Sequence, residues 1–186
     1  NEFSRYFYPQ LNKEGLIIDD RANGGGNVSP MILERLSREP YRLTMRRGSA
    51  RIGTVPDAVQ VGPKVCLINK YSASDGDLFP WGFRALGLGK LIGTRTWGGI
   101  VGISGSLPYM DGTDIRVPFF TSFDPKTGSW IIENHGVDPD ILIDNDPVKE
   151  CNGEDQQLDR AIQEVMKELQ DRKPLPGVPT PRDFSK

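Results

Sequence analysis

Short apolar runs recur along the chain, and most of them end at a glycine-rich or polar segment. Their length is typical of strands, and they predict strands over residues 16–18, 64–70, 90–93 and 141–143. The runs at 16–18 and 64–70 are expected to be buried. A weaker alternation of apolar and polar residues predicts a further strand over 41–45.

Apolar residues at helical spacing separate these strands. The spacing predicts helices from residue 2 to near Pro9, from 29 to about 36, from 75 to about 86 and over 154–172. Ser29 is expected to cap the second helix, with Pro30 in its first position. The last helix has the clearest apolar face, which consists of Leu158, Ala161, Ile162, Val165, Met166 and Leu169.

The stretch over residues 106–137 has a different pattern. Its alternation, with Asp-Gly and Lys-Thr-Gly turns, predicts antiparallel hairpins. Strands separated by helices, together with this hairpin insert, indicate an α/β domain with a mixed sheet and flanking helices. The domain is expected to cover residues 1–172, and a proline-rich, extended tail to cover 173–186.

Composition narrows the possible functions. The 186 residues carry 23 Lys and Arg against 25 Asp and Glu, a balance that favours neither nucleic acid nor an anionic membrane as a partner. No apolar run approaches the ~18 residues of a membrane span. One histidine and two cysteines exclude a histidine-rich metal site and a disulfide framework. We expect no metal and no cofactor. The first residues, NEFSRYFYPQ, lack an initiator Met, and we expect a fragment or a processed product.

Two strand-to-helix junctions are candidate sites of chemistry. At the first, Gly24–Gly26 leads into a helix N-terminus, where free amides could bind phosphate, form an oxyanion hole or simply complete a tight turn. Neither a Walker A motif nor a GxGxxG motif is present. At the second, Ser74 precedes a helix and is either a nucleophile at a sharp turn or a plain helix cap. Ser72 is an alternative candidate for the nucleophile, because Ser72 and Ser74 lie on the same side of an extended segment.

The third candidate is the segment Glu133-Asn134-His135-Gly136. If this segment is extended, Glu133 and His135 share one face of a strand, and the carboxylate could orient a catalytic group. Polar surface residues at the end of a hairpin explain the segment equally well.

The three segments occur together in an order that resembles the C-terminal catalytic domain of the tricorn proteases, which are related to the tail-specific (C-terminal processing) serine peptidases. The resemblance rests on the strings DRANGGG, NKYSASDGD, GLGKLIG and ENHGVDPD, and covers residues from about 14 to 172. It implies a crotonase-like α/β fold related to that of Clp protease. It also implies a serine peptidase with a tetrad of Ser, His, a second Ser and Glu.

The resemblance assigns roles to individual residues. Ser74 matches the nucleophile, and Glu133 matches the glutamate of the tetrad. The amide of Asp75 matches one donor of the oxyanion hole, and the other donor is Gly25 or Gly26. The substrate is expected to be a peptide or an unfolded polypeptide, and self-association is expected in the full-length protein.

The family's general-base histidine and its serine partner come from a region upstream of the strand that opens this chain. His135 does not match that position, so we expect His135, like Ser72, to line the site without acting as the base. The chain alone should therefore have little or no activity. Two alternatives are a noncatalytic peptide-binding or assembly module and, with less support, a crotonase-type acyl-CoA enzyme. A cytoplasmic location is expected, although an upstream signal peptide would change it.

Overall fold

The computed structural model describes residues 2–49, 51–103 and 107–180, without the side chain of Leu107. The helices are α1 (Glu2–Phe7), α2 (Ser29–Leu36), α3 (Asp75–Ala85), α4 (Pro147–Cys151) and α5 (Gln156–Asp171), with a 3₁₀ turn at Tyr8–Gln10 after α1. The strands are β1 (Leu16–Asp19), β2 (Arg42–Met45), β3 (Ile52–Val55), β4 (Lys64–Ile68), β5 (Gly89–Gly93), β6 (Gly102–Ile103), β7 (Leu107–Pro108), β8 (Asp114–Ile115), β9 (Pro118–Phe120) and β10 (Ile141–Leu142).

The central sheet has four strands in the order β1-β4-β5-β10, and every neighbouring pair is parallel. The expectation of a mixed central sheet is therefore wrong, because its strands are all parallel. The α/β class is confirmed. Antiparallel pairing is confined to three separate two-stranded pairs, β2-β3, β6-β9 and β7-β8. The last two pairs form the hairpin insert; residues 104–106, where its predicted range begins, lie outside the described residues.

Alternate residues of β4 pack on opposite faces of the sheet, because side chains alternate along a strand. Cys66 and Ile68 pack with Phe7 of α1 and with Phe79 and Phe83 of α3. On the other face, Val65 and Leu67 pack against Ala161 and Val165 of α5. The sheet is thus covered on both faces, as parallel sheets generally are.

Helix α5 confirms the predicted periodicity but buries only part of the predicted face. Ala161 and Val165 are buried, whereas Ile162 and Met166 are 45% and 56% exposed. These two residues line an open groove of about 640 Å³ between α5, α1 and the edge strand β1.

The topology brings several loops to the carboxyl ends of the parallel strands. The segments that follow β1, β4 and β5 are 20–28, 69–74 and 94–101. Because β1, β4 and β5 are adjacent and parallel, these three segments emerge at the same edge of the sheet. Among the described helices, none is long and apolar enough to cross a membrane.

Candidate active site

The glycine loop after β1 is held together by Asn23. Its side-chain amide donates to Asp20 Oδ1 at 2.9 Å, and its own Oδ1 accepts from the Gly25 amide at 3.1 Å. Gly25 and Gly26 have φ angles of +117° and +144°, a region that favours glycine. The sequence therefore folds this segment into a tight loop that ends at the start of α2.

Ser74 lies at a sharp turn between β4 and α3. Its φ of 57° and ψ of −114° are unusual for a residue with a side chain. Such a conformation costs of order 1–3 kcal/mol and persists only where the surrounding structure enforces it. Ser74 is also partly exposed.

The glycine loop and the serine turn are in direct contact. The Ala73 amide donates to the Asn23 carbonyl oxygen at 2.8 Å. A Cβ atom on Gly25 would lie 2.8 Å from Ser74 Cβ and 3.2 Å from Ser74 Oγ. Glycine is thus required at position 25, and the backbone of the loop approaches the serine oxygen closely.

The amides around Ser74 differ in whether they already have an acceptor. The Asp75 N–H donates to no other residue in the described part of the chain. The Gly25 N–H is taken by Asn23, whereas the Gly26 N–H has no acceptor among the described residues. The amides of Asp75 and Gly26 are therefore free to donate to a bound group.

The side chain of Asp75 has a separate structural task. It is buried, and its carboxylate accepts from the amides of Val28 and Ser29, both at 3.0 Å, and from the Ser29 hydroxyl. The expectation that Ser29 caps α2 is wrong, because Val28 precedes the helix and Ser29 lies inside it. The cap is the Asp75 carboxylate, supplied from the start of α3.

Glu133 lies against the loop that follows β5. Its Oε2 accepts from the Ile100 amide at 2.7 Å and the Val101 amide at 2.9 Å. Residues 133–135 form a turn, and Asn134 has a φ of 60°, so Glu133 and His135 do not share the face of a strand as the extended reading required. The turn is fixed to the same loop through the Asn134 amide, which donates to the Gly98 carbonyl at 2.7 Å.

Asp77 joins this loop to the serine turn. Its carboxylate accepts from the Ser74 amide at 2.8 Å, the Gly98 amide at 2.7 Å and the Gly99 amide at 3.3 Å. The three segments that the sequence singled out are thus linked in space by hydrogen bonds, with Ser74 at the centre of the arrangement.

Ser72 and His135 are placed differently from the other predicted residues. Ser72 is fully buried, and its hydroxyl donates to the Asp20 carbonyl at 2.9 Å, so it supports the turn from inside. The His135 ring is exposed and pairs with Asp138 at 2.8 Å. The hydrogen bond from His135 and the nearby Arg95 lower the pKa of the Asp138 carboxyl. His135 lines a shallow depression beside α3 that does not include Ser74.

Asp20 introduces an unusual titratable group beneath the site. It is 7% exposed, and its Oδ2 has no hydrogen-bond partner in the described structure. Burial raises its pKa to about 8, and the nearby Asp75, Asp19 and Asp77 contribute in the same direction. Asp20 is therefore protonated at neutral pH. The acidic residues around it form no cluster suited to a metal ion within the described residues.

A strained serine at a strand-to-helix turn, with free backbone amides beside it, is the arrangement that serine hydrolases use. Comparison with known proteins agrees with this class. Residues 2–143 match the model of peptidase family S41. The tricorn protease of Thermoplasma volcanium is 43% identical over 91% of the chain, and Tricorn protease homolog 1 of Streptomyces coelicolor is 39% identical over 82%.

The chain belongs to peptidase family S41, whose members are serine-type peptidases, and is homologous to the tricorn proteases. The crystal structure of the tricorn protease superposes with a TM-score of 0.81 at 41% identity over 91% of the chain. The resemblance seen in the sequence motifs is therefore confirmed. The chain spans only 16% of the length of that relative from Thermoplasma and 14% of the Streptomyces one.

Sequence reasoning did not identify Asn23, Asp20 and Asp77 as site residues. Asn23 and Asp77 were visible only as members of the motif strings, with no sign of what they contact. The contact that gives Asp77 its importance is distant in sequence, since Asp77 and Gly98 are 21 positions apart. For Asp20 and Asn23, the one available signal was their position soon after a buried strand, at the carboxyl edge of a parallel sheet.

Proposed function

We propose that this chain is the part of a tricorn-type serine peptidase that carries the nucleophile, Ser74, and the oxyanion hole. The observation that supports this proposal best is the contact between Ser74 and the glycine loop, where the Cβ of an alanine at position 25 would lie 3.2 Å from Ser74 Oγ. The backbone of the glycine loop therefore lies beside the serine oxygen, where its free amides can donate to the oxygen of an attacked carbonyl group. The substrate class is peptides, and the fold type is crotonase-like.

In the proposed reaction, Ser74 Oγ forms a bond to the carbonyl carbon of a peptide, and the carbonyl electrons move to its oxygen. The amides of Asp75 and Gly26 then donate to that oxyanion, because neither has another acceptor in the described structure. Gly26 is preferred over Gly25, whose amide already donates to Asn23. Loss of one such donor typically lowers kcat by ~10²–10³.

The proton of the Ser74 hydroxyl requires a base. The only histidine of the chain is His135, and its ring is paired with Asp138 outside the serine turn. The proposal therefore assigns the base to another region of a longer polypeptide, as the family resemblance implies. Glu133 keeps Oε1 free of hydrogen bonds among the described residues, so it can accept from a group of that region.

It follows that the 186-residue chain alone has little activity, because an unactivated serine is a weak nucleophile at neutral pH. Incubation with a fluorophosphonate probe tests this directly. Slow, substoichiometric labelling is expected. Rapid labelling of one serine per chain would contradict the inferred inactivity.

The function itself is tested by peptide hydrolysis in the longest natural polypeptide that contains these residues. Ser74→Ala should lower kcat by roughly 10⁴-fold or more. Ser129→Ala, at an exposed serine of the hairpin insert, is the matched control and should retain the wild-type rate. If wild type and Ser74→Ala are equally inert but both bind peptides, the chain is a noncatalytic binding module instead.

A further inference from the structure

We propose that Asp77 is a positioning residue for the reaction, which fixes the nucleophile turn and the Gly98–Val101 loop in one arrangement. This inference rests on the proposed function, since it assigns Asp77 a task in the chemistry of Ser74. Asp77 does not touch the substrate, because its side chain is fully buried.

The carboxylate of Asp77 is held entirely by backbone amides. It accepts from Ser74, Gly98 and Gly99 at 2.8, 2.7 and 3.3 Å. Burying a carboxylate is unfavourable unless several donors compensate for lost hydration, and these amides supply that compensation. The geometry therefore couples the position of the Ser74 backbone to that of a loop more than 20 residues away.

The bond to the Ser74 amide acts where the backbone is strained. Ser74 has a φ of 57°, and the preceding amide, Ala73, is held by the Asn23 carbonyl at 2.8 Å. Two consecutive amides around the strained residue are thus fixed from opposite sides of the site. Without the Asp77 carboxylate, the Ser74 amide loses its acceptor, and the strained conformation of Ser74 is held less firmly.

The loop held by Asp77 is also the loop held by Glu133. Asp77 accepts from the amides of Gly98 and Gly99, and Glu133 accepts from the next two, Ile100 and Val101. Four consecutive amides therefore donate to two carboxylates. Through this short stretch of backbone, Asp77 sets the distance between the nucleophile and the glutamate of the tetrad. Such preorganisation matters because small misplacements reduce rates strongly.

A simpler role is also conceivable, in which Asp77 only caps α3. A cap satisfies amides of its own helix end, whereas Asp77 also accepts from Gly98 and Gly99, which belong to another segment. The two roles differ in their consequences. Loss of a cap lowers stability alone, whereas loss of a positioning residue lowers kcat in molecules that remain folded.

The test uses the longest natural polypeptide that contains these residues, assayed by peptide hydrolysis and by thermal unfolding. Asp77→Asn keeps the size of the side chain but replaces one acceptor oxygen by an NH₂ donor, which cannot accept from these amides. We expect kcat to fall by about 10²-fold, with KM changed by less than about threefold. Asp146→Asn is the matched control, since Asp146 accepts from the amides of Val148 and Lys149 at the start of α4. It should leave kcat unchanged and lower the unfolding temperature only slightly, because Asn caps a helix nearly as well as Asp.

Ser74→Ala, measured in parallel, separates the two proposals. If Ser74→Ala retains activity, the proposed function fails. If Ser74→Ala abolishes activity and folded Asp77→Asn retains the wild-type kcat, only the positioning role is overturned. If Asp77→Asn does not fold, Asp77→Glu is measured in its place, because glutamate keeps the charge and moves it by one methylene. A reduced kcat in folded Asp77→Glu supports positioning. Wild-type kcat in that variant, or failure of both variants to fold, assigns Asp77 to folding alone.

Discussion

The carbonyl oxygen of Asn23 accepts a hydrogen bond from the amide of Ala73 at 2.8 Å. This contact joins the loop after β1 to the turn after β4, and it places Gly25 against the side chain of Ser74. Two adjacent parallel strands thus bring together a nucleophile and a loop of amides. The close approach depends on glycine at several positions, which leads to a first prediction.

Gly76→Ala should destabilise the fold by about 1–3 kcal/mol, the usual range for overpacking. A Cβ atom at this position would overlap the Asn23 carbonyl oxygen, which is backbone and cannot move aside cheaply. Gly24→Ala is the matched control, because a Cβ on Gly24 meets no atom within 4 Å. Denaturant unfolding of the three proteins measures the difference. Equal stability of the two variants would show that Asn23 and Gly76 do not lie in contact.

Asp20→Asn should change how stability depends on pH. The pKa of Asp20 is raised from 3.8 to about 8, so the folded state binds more protons than the unfolded state between these values. The contribution of protonated Asp20 to the free energy of unfolding is fully present below about pH 4 and is lost as pH rises through about 8. Between pH 5 and 8, the free energy of unfolding of the wild type should therefore fall by up to ~1.4 kcal/mol per pH unit relative to that of the variant.

The measurement is urea unfolding of wild type and Asp20→Asn at several pH values. A difference that grows toward pH 8 is expected, because burial raises the pKa of Asp20, with smaller contributions from the charges of Asp75, Asp19 and Asp77. Parallel stability curves for the two proteins would mean that Asp20 titrates normally in the folded state.

His135→Ala should leave hydrolysis by the longest natural polypeptide within about twofold of wild type. The ring contacts Asp138, and no atom of the serine turn bonds to it among the described residues. The pair is exposed, so the loss of stability should stay below about 1 kcal/mol. A large fall in kcat that leaves KM unchanged would instead identify His135 as the general base and refute the assignment of the base to another region.

Local patterns were sufficient to predict most of the fold. The strands near Leu16, Lys64 and Gly89 and the long helix α5 follow from short apolar runs and from helical periodicity. The strand β3 and the short helix α4 were not predicted. Residues 52–55 carry a weak alternation, and α4 depends on its capping residue, Asp146, more than on an apolar face.

In the candidate site, too, local patterns predict some residues and not others. Ser74 and the glycine loop could be predicted, because a residue before a helix and a run of glycines are local signals. The cap of α2 by Asp75 could not, since that carboxylate and the Ser29 amide are 46 positions apart. The burial of Ser72 was also unpredictable, because its hydroxyl is satisfied by a carbonyl of another strand end, Asp20. These hydrogen-bond partners are determined by how the segments pack at the edge of the sheet, and a local sequence pattern does not show that packing.

The identity of the nucleophile is tested most directly by mapping the fluorophosphonate adduct in the longest natural polypeptide that contains these residues. Trypsin cleavage after Lys70 and Arg84 gives one peptide that contains both Ser72 and Ser74, and fragment-ion masses distinguish them. A single adduct on Ser74, absent from Ser74→Ala, is expected. An adduct on Ser72 or on any other residue, or equal labelling of Ser74→Ala, would contradict the assignment of Ser74 as the nucleophile.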